Sequence, residues 1–199
     1  MQLASHELFN LKELIASCYN TVTCMGNFIQ QAQDPELKSM LEKHYPKHIE
    51  DYNMKVKFVQ QPNTPDFEQF QPDELMPKLN NFTQAPMMQP ANAPRLDAVT
   101  HNDREIALAY LLNQKAAAKD YAASAVECAN PQLRTFLENA FLNSSHHSYE
   151  IWQYMTEKGY YPLTAAQQGD IQAIGGMYQE VQQYPFRPDS SFDQQQPLQ

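Results

Sequence analysis

Two corners, alike and 96 positions apart, constrain this chain more than anything else in it. Asp34-Pro35-Glu36-Leu37-Lys38 and Asn130-Pro131-Gln132-Leu133-Arg134 both read cap, proline, polar residue, leucine, base. Asp and Asn accept hydrogen bonds from the free N–H groups of a helix start, and proline suits the first helical position, where its missing N–H would have no partner. The match continues without a gap: Leu41 against Leu137, Glu42 against Glu138, Tyr45 against Phe141. The segment before each corner has the same length, since Ser5 to Pro35 equals His101 to Pro131. The pattern predicts a duplicated helical hairpin. Each copy has an apolar seam it cannot bury alone, so the two should pack as four helices.

In the first copy a helix is expected from about Ser5, its cap, to Gln33. Its seam runs through Leu8, Leu11, Ile15, Cys18, Val22, Met25 and Ile29, widened by Phe9, Leu14 and Phe28, at helical spacing. The second helix carries Leu37, Leu41, His44, His48, Tyr52 and Val59, with a kink expected at Pro46. In the second copy Asn102 and Glu105 form a capping-box pattern ahead of an Ala- and Leu-rich run from Ile106 to Ala129. The last helix runs to Lys158, its seam Leu133, Leu137, Ala140, Ser144, His147 and Ile151. Gly159 and Pro162 stop it.

Between the copies, seven prolines (Pro62, Pro65, Pro72, Pro77, Pro86, Pro90, Pro94) share a segment with Phe67, Phe70, Leu75, Met76, Leu79, Phe82, Met87 and Met88. A flexible linker would carry fewer apolar residues. The segment reads as an extended crossover strap that adheres in part to the bundle, with a short helical piece at Asp73 to Asn81. After Pro162 one short helix is expected around Ile171, Ile174, Met177, Tyr178 and Val181, then a Gln- and Pro-rich disordered tail from Pro185. The layout is therefore a hairpin at 1–59, a strap at 60–101, a hairpin at 102–162 and a tail at 163–199.

A net charge of −9 argues against nucleic acid and anionic membrane as partners, because both reward Lys and Arg. The N-terminus has neither the basic nor the apolar region of a secretion signal, and no apolar run approaches a membrane span. Cys18, Cys24 and Cys128 are too few and too scattered for a disulfide framework, so they read as buried reduced thiols, the alternative being later cross-linking. With 5 glycines, none at phosphate-loop spacing, no nucleotide loop is expected. Ser144, Ser145 and His146 are mere neighbours on a helix, not a nucleophile with its base.

The bundle centre alone invites a test for metal. His44 and His48 share one helical face, and His147 with Glu150 lies on the last helix. A di-metal carboxylate bundle needs a Glu from each of two helices and Glu-x-x-His from each of the others. Here Ser144 precedes His147 by three and Tyr45 precedes His48 by three. Cys18, Tyr19 and Val22 hold the middle of the first helix; Asn113, Gln114, Lys115 and Lys119 hold that of the third. A lysine there would repel a cation. No cofactor and no catalysis are expected, the alternative being a Zn, Cu or Fe carrier or redox enzyme built on His44, His48, His147 and Glu150. Tyr160-Tyr161 and the pairs and runs Gln60-Gln61, Gln167-Gln168, Gln182-Gln183 and Gln194-Gln195-Gln196 suit contacts between subunits, or a solvated tail.

Four stretches of the second copy carry a family resemblance. They are Asn102-Asp103-Arg104-Glu105-Ile106-Ala107, Lys115-Ala116-Ala117-Ala118, Ala129-Asn130-Pro131-Gln132-Leu133-Arg134 and Tyr154-Met155-Thr156-Glu157-Lys158-Gly159-Tyr160-Tyr161-Pro162. In order and spacing they resemble the coat F domain of bacterial spore coat proteins. The first hairpin, from Ser5-His6-Glu7-Leu8, is similar more loosely. The resemblance implies an all-α, ferritin-like four-helix bundle and a structural, non-enzymatic part in the endospore coat. It further implies synthesis in the mother-cell cytoplasm, with other coat proteins or further copies of the chain as partners. A cytosolic adaptor binding through strap and tail is a third expectation.

Overall fold

The structure is a computed structural model that describes residues 3–61, 65–81, 83 and 90–181. Phe82, Met87 and Met88, the glutamine runs at 182–183 and 194–196 and the tail from Pro185 lie outside the described residues. The chain divides into two units, Met1–Thr164 and Ala165–Gln199. All regular structure among the described residues is helical: α1 (Ser5–Gln31), α2 (Pro35–Gln60), α3 (Asp103–Glu127), α4 (Pro131–Glu157) and α5 (Gln168–Gly175).

The first unit is the expected four-helix bundle. Each corner forms as its residues dictate. Asp34 accepts from Glu36 N–H, and Asn130 accepts from the N–H groups of Gln132 and Leu133. Asn102 and Glu105 form the reciprocal capping box. Gly159 ends α4 with φ of 72°, the left-handed conformation that glycine tolerates best. Asn130→Ala is expected to cost about 1 kcal/mol of stability, read from the urea midpoint, because two N–H groups lose their acceptor.

The duplication is legible in tertiary hydrogen bonds. Glu7, in the first turn of α1, accepts from the N–H groups of Ala129 and Asn130 at 2.9 and 2.7 Å. Asp103, in the first turn of α3, accepts from those of Gln33 and Asp34 at 2.8 and 3.1 Å. Glu7 and Asp103 are equivalent positions, and so are the two corners. Each hairpin thus fastens the corner of the other with an acid of its own. This makes α1 antiparallel to α3. Neighbours α2 and α4 are antiparallel too, since Asp34 at the start of α2 meets Lys158 just past the end of α4. The strap must therefore travel the full length of the bundle.

Two expectations need correction in α1. Ser5 is not its cap: Ala4 is, and Glu7 takes the Ala4 N–H at 2.7 Å. The buried line is Glu7, Leu11, Leu14, Cys18, Thr21 and Met25, while Leu8 and Phe9 are exposed. The helix is rotated because Glu7 and Thr21 find partners across the bundle, Thr21 through Asn113. In α2, Tyr52 and Val59 are not on the buried face; Asp51, Met54, Lys55 and Phe58 are. The helix continues through Pro46.

The strap adheres, as expected, but forms no helix over Asp73 to Asn81. Polar side chains on one face of α4 hold its backbone. Asn139 donates to Phe70 C=O, Asn143 accepts from Asp73 N–H, and Gln153 accepts from Lys78 N–H and donates to Met76 C=O. From Asn143 to Gln153 a helix rises about 15 Å. From Asp73 to Lys78 only an extended chain covers about the same distance. A helical strap would reach half as far and leave these groups unpaired.

In the second unit, α5 has no buried residue, and Ile171, Ile174, Met177 and Tyr178 are exposed.

Candidate functional site

Two apolar clusters fill the ends of the bundle. One contains Leu11, Phe58, Phe70, Phe136 and Leu137; the other Met25, Leu37, Leu41, Ile106 and Ile151. A layer of buried polar and ionisable side chains separates them. Its residues were half foreseen.

His44 and His48 on α2 and His147 on α4 do meet, and all three are buried. The residue that gathers them is Tyr110 of α3, which sequence reasoning missed. Its hydroxyl lies 3.0 Å from His44 Nδ1, 2.9 Å from His48 Nε2 and 3.4 Å from His147 Nδ1. His48 Nε2 and His147 Nδ1 are 3.3 Å apart. The rings of His44 and His147 stack with centroids 3.7 Å apart and planes at 9°. The outward nitrogens face carboxylates: His44 Nε2 donates to Glu150 at 3.0 Å and His147 Nε2 to Asp73 of the strap at 2.8 Å.

Proton counting gives one consistent state. Both carboxylates are ionised, so His44 and His147 carry their protons on Nε2 and offer Nδ1 inward as acceptors. Tyr110 donates to His44 Nδ1. His48 carries its proton on Nε2 and shares it between Tyr110 and His147. Three neutral imidazoles and one phenol satisfy one another. Burial holds the His48 imidazolium pKa well below its ordinary value and that of His147 down at about 4. It pushes the Tyr110 phenol well above its own. The hydrogen bond from His44, with Lys43 alongside, holds Glu150 at about 2. The bond from His147 lowers Asp73.

These shifts set a pH dependence for the chain kept in chelator. His48 and His147 titrate lower folded than unfolded, where the reference is 6.5, so the unfolded chain binds more protons below that pH. Stability is full above about 6.5 and falls as pH drops toward 4, by up to about 1.4 kcal/mol per pH unit for each imidazole. Glu150 adds loss in the same direction as pH falls from 4.5 toward 2. Urea midpoints should decline steadily from pH 7 to 4. A flat profile would mean that the imidazoles take up protons as readily folded as unfolded.

Two turns further along the bundle stands a second group. Lys55 is fully buried, and its ammonium donates to Asp51 Oδ2 and to the Tyr121 hydroxyl. Tyr121 donates to the same Asp51 oxygen at 2.6 Å, and the Cys18 thiol approaches it at 3.3 Å. Asp51 Oδ1 and Gln114 Oε1 are buried without a hydrogen-bond partner among the described residues. Lys115 is not interior: its ammonium lies over the Tyr161 ring, 4.7 Å from the centroid. The interior cation is Lys55, four residues from Asp51 on the line of His44 and His48. That i,i+4 spacing was the signal available in the sequence.

This layer does not fit a dinuclear carboxylate centre. Asp51 is the interior carboxylate, and the Lys55 ammonium stands against it where a cation would. Among the described residues, no group of three or more His, Cys, Asp or Glu is by itself arranged to hold a metal ion. Burial drives the Cys18 and Cys128 thiols up to about 12, so neither is a nucleophile at neutral pH. The groove between α1 and α3 that reaches Tyr110 encloses about 120 Å³, below the ~300 Å³ of the smallest ordinary ligand pockets. No helix among the described residues is long and apolar enough to cross a membrane.

A structure of a protein described as a candidate spore coat protein, from Bacillus halodurans C-125, is similar in fold. The TM-score is 0.61 at 12% identity, over 84% of this chain and 96% of that one. No curated protein sequence matches the chain. The family model of the Coat F domain matches residues 102–164, from the cap of α3 to just past the stop of α4. The hairpin of α3 and α4 is thus the part of the chain that is similar to a Coat F domain, with the bounds that its own caps define.

Proposed function

We propose that this chain is a structural component of the bacterial endospore coat, assembling through protein–protein contacts and catalysing no reaction. The observation that carries the reading is the state of the polar layer. Its ion pair and hydrogen bonds are directed mainly inward, between helices and to the strap. They specify how two hairpins and a strap fit together, which is scaffold work. The Coat F match over the second hairpin and the fold shared with the Bacillus halodurans protein support the coat as the destination.

The contacts for assembly lie outside the core. Phe9 and Val126 are each 66% exposed, and Ile171 and Ile174 of α5 present apolar side chains. Other coat proteins or further copies of this chain are the partners proposed, after synthesis in the mother cell. Fractionation of sporulating cells, with mass spectrometry of this chain, tests the reading. The chain should appear in washed spores and in their extracted coat. Recovery only from soluble extract of growing cells would overturn it.

A further inference from the structure

We propose that His44, His48, His147 and Tyr110 form a mononuclear site for a divalent transition metal ion of the zinc and copper class. The site is independent of the carboxylate centre that the layer fails to provide, and it goes beyond a purely structural role.

The argument rests on where donor atoms point. Three imidazole nitrogens and one phenol oxygen, from α2, α3 and α4, face one another across 2.9 to 3.4 Å. A tetrahedron with edges of about 3.3 Å has its centre about 2.0 Å from each corner, which is the zinc–nitrogen distance. Four of the six edges are therefore already close to the length that coordination requires. Imidazole is the ligand that zinc and copper favour. A set restricted to His, Cys, Asp and Glu omits the phenol, and with it the corner that ties the three rings together.

The surroundings agree. Metal-bound histidines commonly give their far N–H to a carboxylate, which fixes the ring and raises its basicity. Here His44 does so to Glu150 and His147 to Asp73. Lys43 pairs with Glu150 at 3.0 Å, so the outer shell is charge-balanced on that side. The groove between α1 and α3, lined by Thr21, Met25, Asn113 and Tyr110, provides an approach. Loading has three requirements. The phenol gives up its proton to solvent as the ion binds. His48 gives up its Nε2 proton and takes one on Nδ1, which frees the Nε2 lone pair. The His44 ring turns out of its stack on His147, because stacked rings aim their lone pairs side by side rather than at one point.

Asp73 belongs to the strap, so the site couples metal to the crossover. An ion held by His147 also holds the residue that Asp73 fastens. Binding should therefore tighten the strap on α4.

The test uses the full chain, refolded from denaturant with one equivalent of Zn²⁺ and then dialysed, so that burial cannot deny access. One zinc per chain should remain. Co²⁺ should give the visible absorption of a tetrahedral ion, and Cu²⁺ a phenolate charge-transfer band. Tyr110→Phe should abolish that band. His48→Gln should weaken Zn²⁺ binding by more than a hundredfold. Asp73→Asn should weaken it by about 10–100-fold, as loss of a carboxylate behind a ligand does. Circular dichroism confirms that each variant is helical. Retention of less than a tenth of an equivalent by the wild-type chain would overturn the proposal. So would zinc retained equally by wild type and by folded His48→Gln, which would place the ion on surface histidines such as His6 and His101.

Discussion

Lys55→Met should lower the free energy of unfolding by about 3–5 kcal/mol, the usual cost of breaking a buried ion pair from one side. The side chain is fully enclosed, and its ammonium is the only positive charge directly on Asp51 among the described residues. Methionine keeps most of the volume, so little of the loss is cavity. What remains is a carboxylate with Tyr121 and Cys18 on one oxygen and no partner on the other. The second arm is Lys55→Met with Asp51→Leu. Replacing both partners by apolar groups is often neutral, so the double variant should recover most of the loss. Urea denaturation with an unchanged slope reads both. If the single variant loses less than 1 kcal/mol, Lys55 is not enclosed as described.

Phe70→Ala should cost about 3–5 kcal/mol as well, for a different reason. Phe70 belongs to the strap, yet it has no exposed surface. Its ring lies 5.2 Å from that of Phe136, and the Lys47 ammonium stands 5.1 Å from its centroid. It is the plug of one apolar cluster. Removing it leaves a hole between α2 and α4 and frees the strap just before Asp73. Limited proteolysis should therefore cut the variant within 65–81 while the helices still resist. Strap resistance equal to wild type would mean that the α4 ladder alone holds it.

The fold was legible because its signals are local. Asp34, Asn102 and Asn130 each form the cap their neighbours announce, and Gly159 provides the stop. The strap's apolar content marked it as adhering. That it stays extended over Asp73 to Asn81, where a short helix was expected, was not legible, because a chain cannot know the spacing of Asn139, Asn143 and Gln153 on a helix about seventy residues later. The candidate site was half legible. His44, His48, His147 and Glu150 could be placed on one level from helical spacing. Tyr110 could not, because a tyrosine in an Ala- and Leu-rich helix looks like any other core aromatic.

The sequence by itself determined the parts: four helices, two corners that repeat each other, a crossover and a Coat F-like second hairpin. Capping, proline spacing and apolar period act over a few residues and need no partner to be read. Only the tertiary structure decided which face of α1 is buried and which lysine is interior. It also decided which groups fill the centre. Equivalent positions of the two hairpins carry unlike residues there: Leu14 and Tyr110, Cys18 and Gln114, Asp51 and His147. A buried ionisable group is tolerated only beside its partner, and the partners sit on other helices. The repeat built the frame, and the breaking of the repeat at its centre built the polar layer.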